Sequence, residues 1–233
     1  MGTDDNGDGR KEINRAEEIL AYINALKGPD SYGRPIAVNP VHVKGKRIWF
    51  ADPASPDGVN SIEHFYGVAD AALNGSQNFP PDMNYANEVH RFGRAGELYA
   101  QADPAKLSQV IDMMVARGVA WDPTFSIYEA SRDLVRAQNQ PWFKDYLHPS
   151  LEEFFKGSLG NHGSYFLGWT SAQESRWRRQ YRIWMDAVHE FAVKGGLVTT
   201  GDDAGFIYSM YGFGIARELE LHEEAGFHPL EVI

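Results

Sequence analysis

The sequence contains no cysteine, and no apolar run in it approaches the roughly 20 residues that a membrane-spanning helix needs. The absence of cysteine excludes disulfide bonds and thiolate-ligated zinc, so any metal ion must be held by histidine, aspartate or glutamate. Basic residues are also few. The chain has 22 lysines and arginines against 32 aspartates and glutamates, a net charge of -10, and such an acidic surface disfavours binding to nucleic acid and to anionic membranes.

The 233 residues do contain enough apolar material for one sizeable core. Hydrophobic residues make up 43% of the chain and aromatic residues 13%, which excludes a disordered chain. The polar start at 1–6 is not a signal peptide, and nothing in the sequence indicates the compartment. Because there are no internal repeats and no low-complexity linker, we predict a single domain over 1–233.

The acidic residues near the start resemble half of a calcium-binding loop. Asp4, Asn6 and Asp8 have the spacing of oxygen ligands in such a loop. The pattern then fails, because Arg15 occupies the position of the bidentate glutamate. We therefore interpret 1–13 as a solvated acidic turn, with calcium binding as the less favoured alternative.

Helical patterns and short strand-like runs alternate along the rest of the chain, which is typical of an α/β fold. Asp103 followed by Pro104 predicts the start of one helix, and the run at 119–125 predicts the next strand. Ser171 with Glu174 predicts the start of a long helix. The apolar positions expected to face the core are Leu107, Val110, Ile111, Met114, Trp177, Tyr181, Trp184, Met185, Val188 and Phe191.

Two of the predicted strands end in side chains that bind metal ions. The strand at 59–64 ends in His64, and the run at 195–205 carries Asp202 and Asp203 between glycines. Carboxyl ends of parallel strands meet at one edge of a sheet, so His64 and Asp203 can lie together there. Imidazole and carboxylate bind Zn²⁺, which lowers the pKa of its water to about 7. The spacing alone also fits a structural histidine and an aspartate that caps a turn.

The same stretches resemble the amidohydrolase superfamily, in particular its imidazolonepropionase-like branch. Residues 61–64 read Ser-Ile-Glu-His and residues 200–205 read Thr-Gly-Asp-Asp-Ala-Gly, similar to the sixth and eighth barrel strands of that family. The closing segment, 217–233, resembles the helix that follows the last barrel strand. The resemblance implies an α/β fold, namely a partial (β/α)8 TIM-like barrel with approximately strands 5 to 8, their helices and an aromatic-rich insertion at 126–170.

The resemblance also implies a centre with one or two divalent metal ions, Zn²⁺ in particular. It makes His64 and Asp203 metal ligands and makes Asp203 the catalytic proton shuttle. Asp202 stands where the family often has threonine or serine, so the choice between the two aspartates stays open. His42 is the candidate for the histidine of the fifth strand. The family's His-x-His pair and its fourth-strand lysine or glutamate are missing, so we expect a fragment of the catalytic barrel.

The function implied by the resemblance is metal-dependent hydrolysis of C–N bonds in a small-molecule amide, cyclic amide or peptide-like substrate. The chain alone is expected to turn over little or nothing, because it lacks the amino-terminal ligands. The aromatic insertion at 126–170 would shape the substrate pocket. The alternative is a non-catalytic interaction module that uses this insertion and the open sheet edges, which also allow a homo-oligomer.

Overall fold

The computed structural model describes residues 61–65, 67–74, 89–157, 165–205 and 207–233. The predictions for the acidic turn at 1–13 and for His42 therefore fall outside the described residues. In chain order the described elements are β1 (Ser61–Glu63), α1 (Val68–Ala71), a π-helical segment (Val89–Arg94), a 3-10 segment (Ala95–Ala100), α2 (Pro104–Ala116), β2 (Ala120–Asp122), α3 (Phe125–Arg132), α4 (Leu134–Gln138), α5 (Phe143–Tyr146), α6 (Pro149–Phe155), α7 (Ser171–Val193), α8 (Gly214–Glu224) and α9 (Pro229–Val232).

The strands form a small parallel sheet. β1 pairs with β2 so that Ile62 lies opposite Trp121. On its other side Trp121 forms a parallel bridge to Val198, where the Trp121 N–H donates to the Leu197 oxygen and the Thr199 N–H donates to the Trp121 oxygen, each at 2.9 Å. The predicted α/β class is confirmed in this form, mostly helical with a small parallel sheet.

The predicted strand that carries the two aspartates is reduced to this single bridge at Val198. Residues 199–204 have no regular secondary structure. Glycines limit the pairing on both sides of the bridge, since Gly195 has a φ of 91° and Gly201 lies against the Asp122 carboxylate, 2.9 Å from where a Cβ would stand. Glycine offers no side chain to pack against a neighbouring strand, so the β-branched run between them is too short for a full strand.

Helices α2 and α7 pack against each other and have the apolar faces that the sequence predicts. All the predicted core positions of both helices are buried. Asp103 caps α2 as predicted, since its Oδ1 accepts the N–H of Ala105 at 2.9 Å and the N–H of Lys106 at 3.1 Å. The core positions could be predicted because their 3.6-residue spacing defines one helix face.

The cap of α7 differs by one residue from the prediction. Thr170, not Ser171, is the capping residue, because it has the extended backbone that a cap requires, with φ of -119° and ψ of 160°. Its Oγ1 accepts the N–H of Gln173 at 3.4 Å, and the Gln173 Oε1 accepts the N–H of Thr170 at 2.7 Å. Glu174 instead accepts a hydrogen bond from Arg178 at 2.7 Å.

Replacing Thr170 by alanine is therefore expected to lower the free energy of unfolding by about 1 kcal/mol, the usual effect of losing such a cap. Thr170→Ser keeps the hydroxyl and is expected to remain close to the wild type. Urea unfolding followed by circular dichroism measures both variants. Equal losses in the two variants would contradict the capping role.

Among the described residues, none of the helices combines the length and the apolarity that crossing a membrane requires.

Candidate metal-binding site

Three residues that follow neighbouring strand positions share an unusual backbone conformation. His64 follows β1 with a φ of 63°, Thr124 follows β2 with a φ of 47°, and Asp203 lies beyond the Val198 bridge with a φ of 44°. This left-handed region is uncommon for residues with a side chain, and a residue held there costs on the order of 1–3 kcal/mol. Strain of this kind clusters at functional sites, because only the surrounding structure can maintain it.

His64 and Asp203 come together at this edge of the sheet. The His64 Nε2 lies 3.4 Å from the Asp203 Oδ2, with the histidine buried and 42% of the aspartate side chain exposed. Burial lowers the pKa of His64 to about 4, so the imidazole is neutral at neutral pH. A charge-assisted N–H···O bond is about 2.7–2.9 Å long, so the observed separation is too long for one.

The other ring nitrogen of His64 is held by Thr124. The Thr124 Oγ1 contacts the His64 Nδ1, and the same hydroxyl donates its proton to the Pro123 oxygen at 2.7 Å. A hydroxyl has only one proton to donate, so assigning it to the Pro123 oxygen makes the hydroxyl an acceptor towards His64 and assigns the histidine proton to Nδ1. The Nε2 of this tautomer therefore presents a lone pair towards the carboxylate of Asp203.

The pair fits a zinc ion in donor type and in spacing. Two ligands that are about 2.0–2.1 Å from a tetrahedral zinc ion lie roughly 3.3 Å apart, and the His64 Nε2 and Asp203 Oδ2 are 3.4 Å apart. An imidazole lone pair and a carboxylate that face each other can both donate electron pairs to a metal ion, so a cation between them would be stabilised. Within the described ranges no group of three or more histidine, aspartate or glutamate side chains gathers for a metal. Among the described residues, this pair would therefore provide two ligands for such an ion.

Asp202 has a different environment from its neighbour. Its side chain lies against Gly214, where a Cβ would stand 2.5 Å from the Asp202 Oδ2, and its carbonyl oxygen accepts a hydrogen bond from the Ser126 hydroxyl at 3.4 Å. Of the two aspartates, Asp203 is thus the one whose carboxylate meets His64. The third predicted ligand, His42, lies outside the described residues.

A comparison with known proteins finds no matching family model, no matching curated sequence and no matching solved structure.

Two further carboxylates of the sheet edge were not singled out from the sequence. Glu63 and Asp122 are cross-strand partners. Burial raises the pKa of both groups, and the charge of Asp122 adds to the rise at Glu63. Their place in the sequence was the signal that could have identified them. Successive side chains of a strand point to opposite faces of the sheet, and Glu63 and Asp122 each follow a buried apolar residue, Ile62 and Trp121. These acidic groups make the edge attractive to a cation.

Another carboxylate, that of Glu218 in α8, is completely buried. Its Oε1 accepts the N–H of Phe125 at 2.8 Å, and its Oε2 accepts the N–H of Ser126 at 2.6 Å. Burial raises the pKa of Glu218 to about 8, although the two amide hydrogen bonds act in the opposite direction. Its position on the same helix face as the buried Leu221 and His222 was the only signal in the sequence.

The aromatic segment predicted as an insertion contacts the loop that follows Asp203. The Trp142 ring stacks on Phe213, with centroids 5.2 Å apart and an angle of 12° between the planes. The Phe155 ring lies 5.4 Å from Tyr208, which also accepts a hydrogen bond from the Gln138 amide at 3.0 Å. Helices α4 to α6 are thereby fixed to the segment that leads away from the candidate site.

Proposed function

We propose that this chain carries part of the active site of an amidohydrolase-type, metal-dependent hydrolase that cleaves C–N bonds in a small amide, cyclic amide or peptide-like substrate. One observation carries this proposal, namely the His64 Nε2 facing the Asp203 Oδ2 across 3.4 Å at the edge of the sheet. The order and direction of β1, β2 and the Val198 bridge support it further, because three parallel neighbours in chain order are what strands 6 to 8 of a (β/α)8 barrel would provide.

A bound zinc ion, or a pair of divalent ions, would polarise the substrate carbonyl and make a water molecule more acidic. His64 and Asp203 would hold the metal, with His42 proposed as a further ligand from outside the described residues. Asp203 would also accept the proton of the attacking water, since its side chain is partly exposed. As the C–N bond breaks, Asp203 would return this proton to the leaving nitrogen.

The aromatic segment would form a wall of the substrate pocket, because its rings pack on the loop beyond Asp203.

The alternative function is a non-catalytic interaction module, and exposed side chains of the same segment favour it. Its Val135 and Tyr146 are large side chains that remain 67% and 65% exposed, and such side chains are available to a partner surface.

Zinc added to the full chain is expected to bind, and Asp203→Asn and His64→Gln are each expected to weaken binding by about tenfold or more, because each removes one of two described donors. Competition with a chromophoric chelator measures the affinity. Asp202→Asn is the matched control, since it removes the neighbouring charge, and we expect it to bind zinc as the wild type does.

An equal loss of affinity in Asp202→Asn and Asp203→Asn would show that zinc responds to acidity alone and would contradict the site. Absence of zinc binding by the folded wild-type chain would favour the interaction module instead. The chain by itself is expected to hydrolyse amide substrates little, because it lacks the His-x-His pair and the fourth-strand lysine or glutamate of the family it resembles.

A further inference from the structure

The amino-terminal end of α3, directly after Thr124, is held by a carboxyl group from another helix. Both oxygens of Glu218 are used, one for the N–H of Phe125 and one for the N–H of Ser126. The first amides of a helix have no acceptor within the helix, so they need one from elsewhere. Glu218 supplies that acceptor from α8.

This arrangement leaves the Thr124 side chain for His64. A threonine that precedes a helix normally caps it with its own hydroxyl, but Thr124 makes no such bond. Its left-handed backbone, with a φ of 47°, is not the extended conformation of a capping residue. The hydroxyl instead lies between the His64 Nδ1 and the Pro123 oxygen. Glu218 therefore caps α3 in place of Thr124, and the Thr124 hydroxyl contacts His64.

Helix α8 also contacts the other half of the site. Gly214, its first residue, lies so close to Asp202 that a Cβ there would be 2.8 Å from the Asp202 Cβ. Ser126, whose N–H is held by Glu218, donates its hydroxyl to the Asp202 oxygen at 3.4 Å. One helix therefore fixes both the turn at Thr124 and the residue before Asp203.

We propose that Glu218 is a positioning residue for His64. By holding the first amides of α3, it keeps Thr124 in its left-handed turn with the hydroxyl on the His64 Nδ1. The imidazole would then present Nε2, rather than Nδ1, to a bound metal ion. That the partner of Nε2 is a metal ion rests on the proposed function. The contacts from Glu218 through Thr124 to His64 are present without any metal. Partners that orient a ligating histidine in this way typically change metal affinity 10- to 100-fold.

Nuclear magnetic resonance of the metal-free full chain, labelled with ¹⁵N-histidine, reports which ring nitrogen of His64 carries the proton. The wild type is expected to show the Nδ1–H tautomer near neutral pH. Glu218→Gln replaces one accepting oxygen by an NH₂ group, which cannot accept an amide. We expect this variant to show a mixture of tautomers at His64 and to bind zinc about 10- to 100-fold more weakly. Glu223→Gln, exposed on the same helix, is the matched control and should change neither.

A second pair of variants tests Thr124, which lies between Glu218 and His64. These variants test the proposal even if Glu218→Gln fails to fold. Thr124→Val removes the hydroxyl at nearly constant shape and should produce the same mixture, whereas Thr124→Ser should retain the Nδ1–H tautomer. A wild-type tautomer of His64 in folded Glu218→Gln or in Thr124→Val overturns the proposal. If the tautomer shifts as expected but the wild type binds no zinc, the positioning role stands and the metal assignment falls.

Discussion

Replacing Trp184 by alanine is expected to lower the free energy of unfolding by about 4 kcal/mol, because truncating a buried tryptophan removes apolar contacts and leaves a cavity. The indole is 1% exposed and lies at the centre of a ring cluster. The ring centroids of Phe125, Phe65 and Tyr181 lie 4.7, 5.3 and 5.4 Å from its own. Urea unfolding, monitored by tryptophan fluorescence and by circular dichroism, measures the change.

The phenylalanine variants of two neighbouring tryptophans provide the control. Within the described part of the chain, the Trp184 Nε1 has no hydrogen-bond acceptor, whereas the Trp177 Nε1 donates to the Gly93 oxygen. Trp184→Phe loses packing but no hydrogen bond. Trp177→Phe also loses the hydrogen bond to the Gly93 oxygen, which adds about 0.5–1.5 kcal/mol. We therefore expect Trp177→Phe to be the more destabilising, and the reverse order would contradict the hydrogen-bond assignment.

Glu218 is expected to make a contribution to the stability of the protein that is lost between about pH 5 and pH 8. The unfolded carboxyl titrates near its usual pKa of 4.5, and burial raises the pKa in the folded protein to about 8. Between these values the folded state binds more protons than the unfolded state, so stability decreases as the pH rises. At about 1.4 kcal/mol for each pH unit, this effect is on the order of 4 kcal/mol over the whole window.

The variant Glu218→Gln should lose this contribution, so its stability relative to the wild type should rise from about pH 5 to pH 8, whereas Glu223→Gln should follow the wild type at every pH. Three other titratable groups lie around Glu218, namely His222 on its own helix, Asp122 on β2 and Tyr181 on α7. All three remain in both variants, so the difference between the two profiles isolates Glu218. Urea unfolding at a series of pH values gives the comparison. Parallel profiles for the wild type and Glu218→Gln would show that another group is responsible.

Local features of the fold could be predicted because they depend on residues that are close together in the sequence. The cap at Asp103 and the aromatic face of α7 follow from short spacings in the sequence. The cap of α7 was misplaced by one position, since Thr170 and Ser171 are both hydroxyl residues with a suitable partner three positions later. Backbone conformation decided between them. The length of the aspartate strand was also wrong, because the glycines near Val198 limit its pairing.

The candidate site could be predicted only in part. His64 and Asp203 were predicted to lie together because each follows a parallel strand at the same edge of the sheet. The His64 Nε2 and the Asp203 Oδ2 lie 3.4 Å apart. The role of Thr124 could not be predicted, because its contact with His64 joins positions 60 residues apart. Glu218 was missed for a related reason. It lies in a helix with several other acidic residues, and only the packed structure distinguishes the buried carboxyl from the exposed ones.

The long sequence separations around His64 also have a kinetic consequence. Thr124 and His64 are 60 positions apart, and Phe125 and Glu218 are 93 positions apart. Contacts between such distant positions require the closure of large loops, so they form late in folding, whereas a helix such as α7 can form from local interactions. The proposed metal site would therefore be assembled only after these long-range contacts have formed. It belongs to the chain from β1 to α8 as a whole, and no short peptide cut from it would retain it.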